Sequence, residues 1–266
     1  MSIARLTAIL LILMLADVVQ AETLNCTPIT SVPVTITAQG IYCLTGKLGT
    51  NQTSGAAITI NANNVTIDLN GWKVDDGAAG TGTQAYGIYS NSNNVTIKNG
   101  IVRGFFWGIY LTGSGAVVQD MLIDSNTYVG ITSNGLGTLV EHNQVVNSGN
   151  GTYRAYGIDA EGPNAAVINN TIAGLTSASG QSEYAILLYG SDSTARGNVI
   201  SNTALPTGGG SSYGILTYGG IAISNTVSNF TYGIYNATTG IYSFNTVSSC
   251  TNDFTGGTAG FGNSGT

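Results

Sequence analysis

Residues 86–102 read YGIYSNSNNVTIKNGIV, and this stretch decides the fold because its parts return along the chain. A Gly-Ile step, with Ala for Gly at one site, recurs at spacings of 19 to 29 residues and usually follows an aromatic residue. The steps that keep this spacing are Tyr86-Gly87-Ile88, Trp107-Gly108-Ile109, Gly130-Ile131, Tyr156-Gly157-Ile158, Tyr184-Ala185-Ile186, Tyr213-Gly214-Ile215 and Tyr232-Gly233-Ile234. A period in this range is typical of proteins that stack one short unit on the next.

A constant distance separates each step from a second feature of the repeat. Twelve positions after five successive isoleucines lie Gly100, Met121, Asn143, Asn170 and Asn198, and the two later units reach Asn225 and Asn245 after ten and eleven positions. Two positions further on is an apolar column made of Val102, Ile123, Val145, Ile172, Ile200, Val227 and Val247. The alternation around these residues predicts short strands with the apolar column facing inward.

The pattern predicts an all-β fold, a right-handed parallel β-helix of about eight rungs, a rung being one turn of the coil. Rungs stack about 4.8 Å apart, because one rung alone cannot bury its apolar face. The predicted organisation is a signal peptide at 1–21, an N-terminal cap at 22–55, the coil at 56–252 and a Gly-rich tail at 253–266. Segments of variable length at 75–85, 148–155, 176–183 and 203–212 fall at the same turn and are predicted to protrude on one side.

Stacked rungs place equivalent side chains above one another, which gives the repeated asparagines a structural interpretation. Their amides can bond from rung to rung and satisfy buried backbone groups of the turn. The alternative is that they line a groove for a ligand. The predicted asparagine ladder consists of Asn143, Asn170, Asn198, Asn225 and Asn245.

The first residues indicate export from the cytoplasm. Arg5 precedes an apolar run over residues 6–16, and the small residues Val19 and Ala21 precede an expected cleavage before Glu22. The predicted location is therefore secreted, either extracellular or at the periplasm or cell surface. Such compartments permit disulfides, and Cys26 and Cys43 flank one short N-terminal segment. We predict that these two cysteines pair and that Cys250 remains single.

Composition excludes some classes of partner. The net charge is -6 with seven Lys and Arg residues, which argues against nucleic acid as a partner because phosphate binding needs clustered basic residues. A single histidine, His142, leaves no partner for a histidine-rich metal site or a histidine-based triad. No later apolar run approaches the roughly twenty residues that cross a bilayer, so no membrane span is expected after signal cleavage.

The repeat resembles the pectate-lyase-like superfamily of right-handed β-helices. The likeness covers about residues 56–251 and depends on residues 63–71 (NNVTIDLNG), their echo at residues 93–100 (NNVTIKNG), and the Tyr-Gly-Ile steps. The resemblance implies a polysaccharide or cell-surface glycan as partner without naming a reaction. Polygalacturonases of this fold carry Asp-Asp, Gly-His-Gly and Arg-x-Lys elements, and only Asp75-Asp76 is present here. If the protein is an enzyme, a polysaccharide lyase is therefore expected rather than a glycoside hydrolase.

Two positions before the ladder site lies an outward column that contains most of the charge of the repeat. Its members, called the charged column below, are Asp68, Lys98, Gln119, Glu141, Ile168 and Arg196. Lyases of the resembled superfamily remove a proton with a basic side chain, often with calcium on acidic groups nearby, so the resemblance implies Lys98 or Arg196 as the base. The predicted catalytic residues are Lys98, Glu141 and Arg196. The alternative is a strip of cross-rung ion pairs that keeps the strand face soluble.

Two further groups of side chains are candidates for ligand contact. Asp159 and Glu161, with Glu183 and Asp192 from the following rung, offer oxygen ligands for calcium, although solvated acidic turns explain them equally well. We predict Asp159, Glu161 and Asp192 as the calcium ligands.

The aromatic residues of the Gly-Ile steps form one stacked column, which we interpret as structural. The alternative is that exposed rings offer platforms for sugars. The predicted ligand contacts are Tyr89 and Tyr110, which are expected on the outward parity beside the charged column, with Gln119 and His142.

Two functions remain open from sequence. The first is a secreted β-helix that binds or processes polysaccharide on an outward strand face. The second is a non-catalytic envelope or extracellular protein for structure or adhesion, in which the C-terminal end allows self-assembly. The second explains the missing catalytic motifs, and the first explains the convergence of charge and tyrosines on outward positions.

Overall fold

The computed structural model describes residues 25–149 and 153–266, so the predicted signal peptide lies outside the described residues. Within them the chain forms 27 β-strands and no helix, and the strands pair with one another in parallel. The predicted fold is confirmed: the protein is a right-handed parallel β-helix. Among these residues no helix is long and apolar enough to span a bilayer.

Three sheets run the length of the coil, and each rung contributes one strand to each of them. Sheet A contains β2 (Val34–Ile36), β5 (Ala56–Ile60), β8 (Tyr86–Ser90), β10 (Trp107–Leu111), β12 (Val129–Ser133), β15 (Ala155–Ala160), β18 (Glu183–Leu188), β21 (Ser212–Thr217), β24 (Tyr232–Ser243) and β26 (Asn252–Ala259). Sheet B contains β1 (Thr27–Ile29), β3 (Gly40–Leu44), β6 (Val65–Asp68), β9 (Val95–Arg103), β11 (Val117–Asp124), β13 (Leu139–Glu141), β16 (Ala166–Ile168), β19 (Thr194–Arg196) and β22 (Ile221–Ile223).

Sheet C completes each rung. It contains β4 (Leu48–Gly49), β7 (Lys73–Asp75), β14 (Gln144–Val146), β17 (Thr171–Ala173), β20 (Val199–Ser201), β23 (Thr226–Ser228), β25 (Thr246–Ser248) and β27 (Ser264–Gly265). The long strands β9 and β11 pass from sheet B into sheet C, and β24 and β26 pass from sheet A into sheet B.

The core lies inside the coil and is made of the inward side chains of all three sheets. The apolar column from Val102 to Val247 lies on sheet C, and all seven of its members are buried, with at most 1% of each exposed. The sequence predicted that these residues point inward, because they stand at a regular distance after the isoleucine of each Gly-Ile step. Burial of β-branched residues from successive rungs gives the coil its hydrophobic stabilisation, because each rung covers the apolar surface of the next.

A chain of hydrogen bonds runs along the turn between sheets B and C. Asn143 Nδ2 donates to Asn170 Oδ1 at 3.0 Å, Asn170 Nδ2 to Asn198 Oδ1 at 3.1 Å, and Asn198 Nδ2 to Asn225 Oδ1 at 2.9 Å. Each of these amides also donates to a backbone carbonyl of an earlier rung. All of these asparagines are buried, so the bonds satisfy groups that water cannot reach.

The coil extends further in both directions than the predicted boundaries. Strands β1 to β4 pair in parallel with one another or with the following rungs, so the described part of the predicted cap at 22–55 is the beginning of the coil. The predicted tail at 253–266 contains most of β26 and all of β27, which continue the stack. Glycine-rich sequence can pair as a strand because parallel pairing uses backbone groups alone.

Cys26 and Cys43 form a disulfide in the first rungs, with their Cα atoms 5.7 Å apart, and Cys250 is a free thiol. This is the pairing that the sequence predicts. The segments of variable length all connect sheet C to sheet A, so they lie along one corner of the coil.

Candidate functional site

The outer surface of sheet A carries two adjacent columns of aromatic side chains, called the aromatic face below. In β8, Gly87 and Ile88 are buried, whereas Tyr86 and Tyr89 are partly exposed. A Cβ on Gly87 would overlap Val102 and the backbone oxygen of Gly108, so only glycine fits there. The Gly-Ile step therefore turns both of its own residues inward and the flanking aromatic residues outward.

The first column is stacked along the coil and interrupted once. Ring centroids are 4.6 Å apart for Tyr86 and Trp107, and 4.8 Å apart for Tyr156 and Tyr184, with planes inclined by 7° and 14°. Tyr184, Tyr213 and Tyr232 continue the column at 5.1 Å. The interruption is at Val129, which stands in register between Trp107 and Tyr156. This column is both stacked and partly exposed. Stacking agrees with a structural role, and exposure leaves the rings accessible to a ligand.

The second column changes character along the coil. Tyr89 and Tyr110 stack at 5.8 Å with planes inclined by 9°. The positions that follow in register are Thr132, Asp159, Leu187, Leu216 and Tyr235. Polar residues therefore replace the rings in the same part of sheet A where Val129 interrupts the first column.

A cleft of about 560 Å³ opens beside this interruption. It is lined by Phe106, Trp107, Tyr128, Tyr153, Arg154 and Gln181, several of which come from the corner between sheets C and A. Tyr128 stacks on Phe106 at 4.8 Å, and its ring meets that of Tyr156 edge to face at 5.5 Å. The cleft thus combines aromatic walls with a guanidinium and a side-chain amide, a lining that can contact both the apolar and the polar parts of a ligand.

Asp159 lies in the polar part of the second column, in an environment that disfavours its charge. Its Oδ1 atom is buried and has no hydrogen-bond partner among the described residues. Burial, and secondly the nearby charge of Glu161, raise the pKa of Asp159 to about 7. Thr132, the residue in register on the preceding rung, is 2% exposed, and its Oγ1 atom likewise has no partner in the described part of the chain.

Tyrosines around Asp159 are held in their phenol form. Burial raises the pKa of Tyr156 to about 12, and burial also raises the pKa values of Tyr110 and Tyr128. Arg154 lies beside the Tyr156 hydroxyl and partly offsets this effect. At neutral pH these three hydroxyls can donate hydrogen bonds.

The charged column is placed in register as predicted, but its members do not meet at one point. Lys98, Gln119, Glu141, Ile168 and Arg196 occupy five consecutive rungs of sheet B. Lys98 and Arg196 are thus four rungs apart, roughly 19 Å at about 4.8 Å per rung. Lys98 Nζ is 3.2 Å from the buried carboxylate of Asp68. Lys98, Glu141 and Arg196 therefore cannot act together on one sugar linkage.

The predicted ligand contacts belong to two different sheets. Tyr89 and Tyr110 lie on sheet A, whereas Gln119 lies on sheet B and His142 in the turn that follows β13. The expectation that the tyrosines adjoin the charged column is wrong, because alternation gives the inward or outward direction of a residue but not the sheet to which it belongs. His142 has a φ of 55° and Nδ1 lies 3.9 Å from Glu141 Oε2, in an exposed turn.

The predicted calcium ligands are not gathered into a site. In residues 25–149 and 153–266 no group of three or more His, Cys, Asp and Glu side chains could hold a metal ion. Asp192 lies in an exposed turn with a φ of 57°, away from the strand face of Asp159. Glu183 is buried, and its carboxylate accepts hydrogen bonds from the Ser177 N–H at 3.0 Å and Asn202 Nδ2 at 2.8 Å. Neighbouring rungs hold these acids on different sides of the backbone.

Sequence reasoning missed Thr132, Tyr128 and Arg154. One signal pointed to them: the third repeat reads Tyr128-Val129-Gly130-Ile131, with the aromatic residue displaced by one position from its usual place. A break in a regular repeat is where a site is expected, since the repeat itself serves stability.

No protein-family model and no curated protein matches the sequence. Among solved structures the chain is similar to the Dettilon tailspike protein (gp208), with 18% identity, a TM-score of 0.56, and 84% of this chain and 45% of that one covered. Pectate lyase Pel9A follows at 12% identity and a TM-score of 0.48, covering 84% of this chain and 69% of that one. The Agl-KA catalytic domain follows at 12% and 0.43, covering 85% and 57%. The chain thus spans less than half the length of the tailspike protein, with which it shares the right-handed parallel β-helix fold.

Proposed function

We propose that the protein binds a polysaccharide along the aromatic face. The observation that carries this proposal is the pair of adjacent columns of partly exposed rings on sheet A, with the cleft at their interruption. Flat rings fit the apolar faces of sugar rings, and the tyrosine hydroxyls and Arg154 supply hydrogen bonds to sugar hydroxyls. The resemblance to pectate-lyase-like proteins agrees with this class of ligand.

A neutral polymer suits this surface better than an acidic one. The chain carries a net charge of -6, and the site itself contains the exposed Glu161. A polymer with a carboxylate on each unit would meet like charge both at a distance and at contact. We therefore infer that the ligand is a neutral polysaccharide. The disulfide between Cys26 and Cys43 supports a location in an oxidising compartment outside the cytoplasm.

Replacing Trp107 with alanine should weaken binding to the recognised polysaccharide by 10-fold or more, because it removes a ring that both stacks on Tyr86 and lines the cleft. Affinity is measured by calorimetry or affinity electrophoresis against a panel of neutral and acidic polymers. The matched control is Trp72→Ala, because Trp72 is 44% exposed and lies in the turn between β6 and β7, outside sheet A. Equal losses for both variants would contradict a site on the aromatic face, as would exclusive binding of acidic polymers.

A second candidate is self-assembly through the C-terminal end. Ile241, Phe244 and Phe261 are exposed there, Phe261 by 86%, beside the last strands of the stack. Exposed apolar side chains that lie near one another favour contact with a second copy of the chain. We expect light scattering after size exclusion to give a mass above one chain that falls on dilution or on replacing Phe261 with serine. A monomer at all concentrations would exclude this candidate.

A further inference from the structure

Asp159 and Glu161 occupy the same surface at the end of one sheet A strand. They are two residues apart with the buried Ala160 between them, so both side chains point outward. Their Cα atoms are separated by about 6.6 Å at 3.3 Å per residue. Two carboxyl groups on neighbouring outward positions can both reach one glycosidic linkage, and inverting glycosidases use such a pair with room for a water molecule between the base and the sugar.

The two carboxyl groups have different environments. Asp159 stands among buried and aromatic groups, with its Oδ1 lacking a partner, whereas Glu161 is exposed. Glu161 is held in place by Asn134: the Glu161 N–H donates to Asn134 Oδ1 at 3.2 Å, and Asn134 Nδ2 donates to Glu161 Oε2 at 3.3 Å. A pair in which one carboxyl group is desolvated and the other solvated can keep one proton and one negative charge at the same pH.

Thr132 gives independent evidence that a polar ligand group is recognised here. Its side chain is almost entirely buried in the outer face of sheet A, next to Asp159 in register, and its hydroxyl has no partner among the described residues. A buried hydroxyl without a partner costs free energy. A sugar hydroxyl or glycosidic oxygen placed at Asp159 could bond both groups at once, between rings that bind the rest of the polymer.

We propose that Asp159 and Glu161 are the acid and the base of a glycoside hydrolase site that cleaves the neutral polysaccharide bound on the aromatic face. Asp159 gives its proton to the glycosidic oxygen as the bond from that oxygen to the anomeric carbon breaks. Glu161 accepts a proton from a water molecule, whose oxygen forms the new bond to the anomeric carbon from the opposite side. The products are two shorter sugars, one with a new reducing end, and the anomeric configuration is inverted. Proton exchange with solvent then returns Asp159 to the acid and Glu161 to the carboxylate form.

The reaction predicts a specific pH profile. Because the pKa of Asp159 is raised to about 7, the acid is present below that pH, and the rate should fall above it. The folded state also holds this proton more tightly than the unfolded chain does. The free energy of unfolding should therefore fall as the pH rises from about 4 through 7. Asp159→Asn should weaken that dependence without removing it, because burial also raises the pKa values of Glu183 and Asp76.

The inference rests on the proposed binding function, and one experiment separates the two. The full protein is incubated with the polymer that it binds most tightly in the Trp107 assay, and new reducing ends and their anomeric configuration are followed by proton NMR. We expect inverted products and a rate at least 1000-fold lower for Asp159→Asn and for Glu161→Gln, with binding of both variants to the polymer still detected in the Trp107 assay. The control is Asp120→Asn, an exposed acid in β11 outside sheet A, which should keep the full rate.

Each other result overturns the inference. Binding without new reducing ends leaves the proposed function standing and removes catalysis. Products with unsaturated uronate absorbance would show a lyase, and retained configuration would contradict the assigned role of Glu161. The absence of binding to any polymer removes both proposals. Circular dichroism verifies that each variant is folded, and a weaker pH dependence of stability in Asp159→Asn than in the unaltered protein verifies the environment of Asp159 without reference to activity.

Discussion

Replacing Asn198 with alanine should lower the free energy of unfolding by about 4 kcal/mol or more, although the change is far from the aromatic face. Asn198 is fully buried, and its amide serves four groups. It accepts from the backbone N–H and Nδ2 of Asn170 at 2.9 and 3.1 Å, and it donates to Val167 O and Asn225 Oδ1 at 2.9 Å each. Each buried group left without a partner costs about 1 to 3 kcal/mol.

Urea denaturation followed by circular dichroism measures this loss. The matched control is Asn252→Ala, because Asn252 is exposed and its side chain makes a single long bond of 3.4 Å to Thr231 O. That variant should stay within about 0.5 kcal/mol of the unaltered protein, as surface substitutions usually do. If Asn198→Ala proved equally mild, the chain of asparagines would not be a source of stability.

Replacing Gly162 with alanine should destabilise the coil by more than about 3 kcal/mol, the upper range for overpacking a rigid site. Gly162 follows Glu161 at the turn between sheets A and B. A Cβ at Gly162 would overlap the backbone oxygen of Gly135 on the preceding rung, and a Cβ at Gly190 would overlap that of Gly162 in turn. Because these contacts are with backbone rather than with flexible side chains, two rungs would have to move apart.

Thermal denaturation of Gly162→Ala and of the control Gly82→Ala tests this expectation. No atom lies within 4 Å of a Cβ built on Gly82, and its backbone does not adopt the left-handed region, so alanine fits there without cost. A shared small effect would show that neighbouring rungs yield easily at this turn. Displacement of Glu161 in Gly162→Ala should also reduce any hydrolytic rate.

The fold was predictable because the repeat encodes direction and spacing together. The twelve positions from Ile158 to Asn170 include the end of one strand, a turn and the next strand. Because this distance recurs, the inward residues of sheet C could be identified from the amino-acid sequence. The ends were not predictable in the same way. The first and the last strands of sheet A have Val34 and Phe254 in place of the isoleucine of the step, and their membership in the coil depends on backbone pairing that leaves little trace in side-chain type.

The candidate site was predictable only in part, because it depends on neighbours across rungs. Tyr89 and Tyr110 were identified as outward, but alternation could not show that Gln119 belongs to another sheet. Asp159 was identified as a candidate ligand for calcium, whereas its raised pKa arises from burial among side chains of three different rungs. The spacing of residues along the sequence does not show which side chains of neighbouring rungs cover the carboxyl group of Asp159.

The regular register of sheet A has a consequence for how this surface could change over evolutionary time. Each rung contacts only its neighbours, so a duplicated unit of 19 to 29 residues could be inserted between two others without a new core. Such an insertion would lengthen the row of rings by one step of about 4.8 Å. Binding length would therefore vary in discrete increments set by gene duplication, while the chemistry at Asp159 stayed the same.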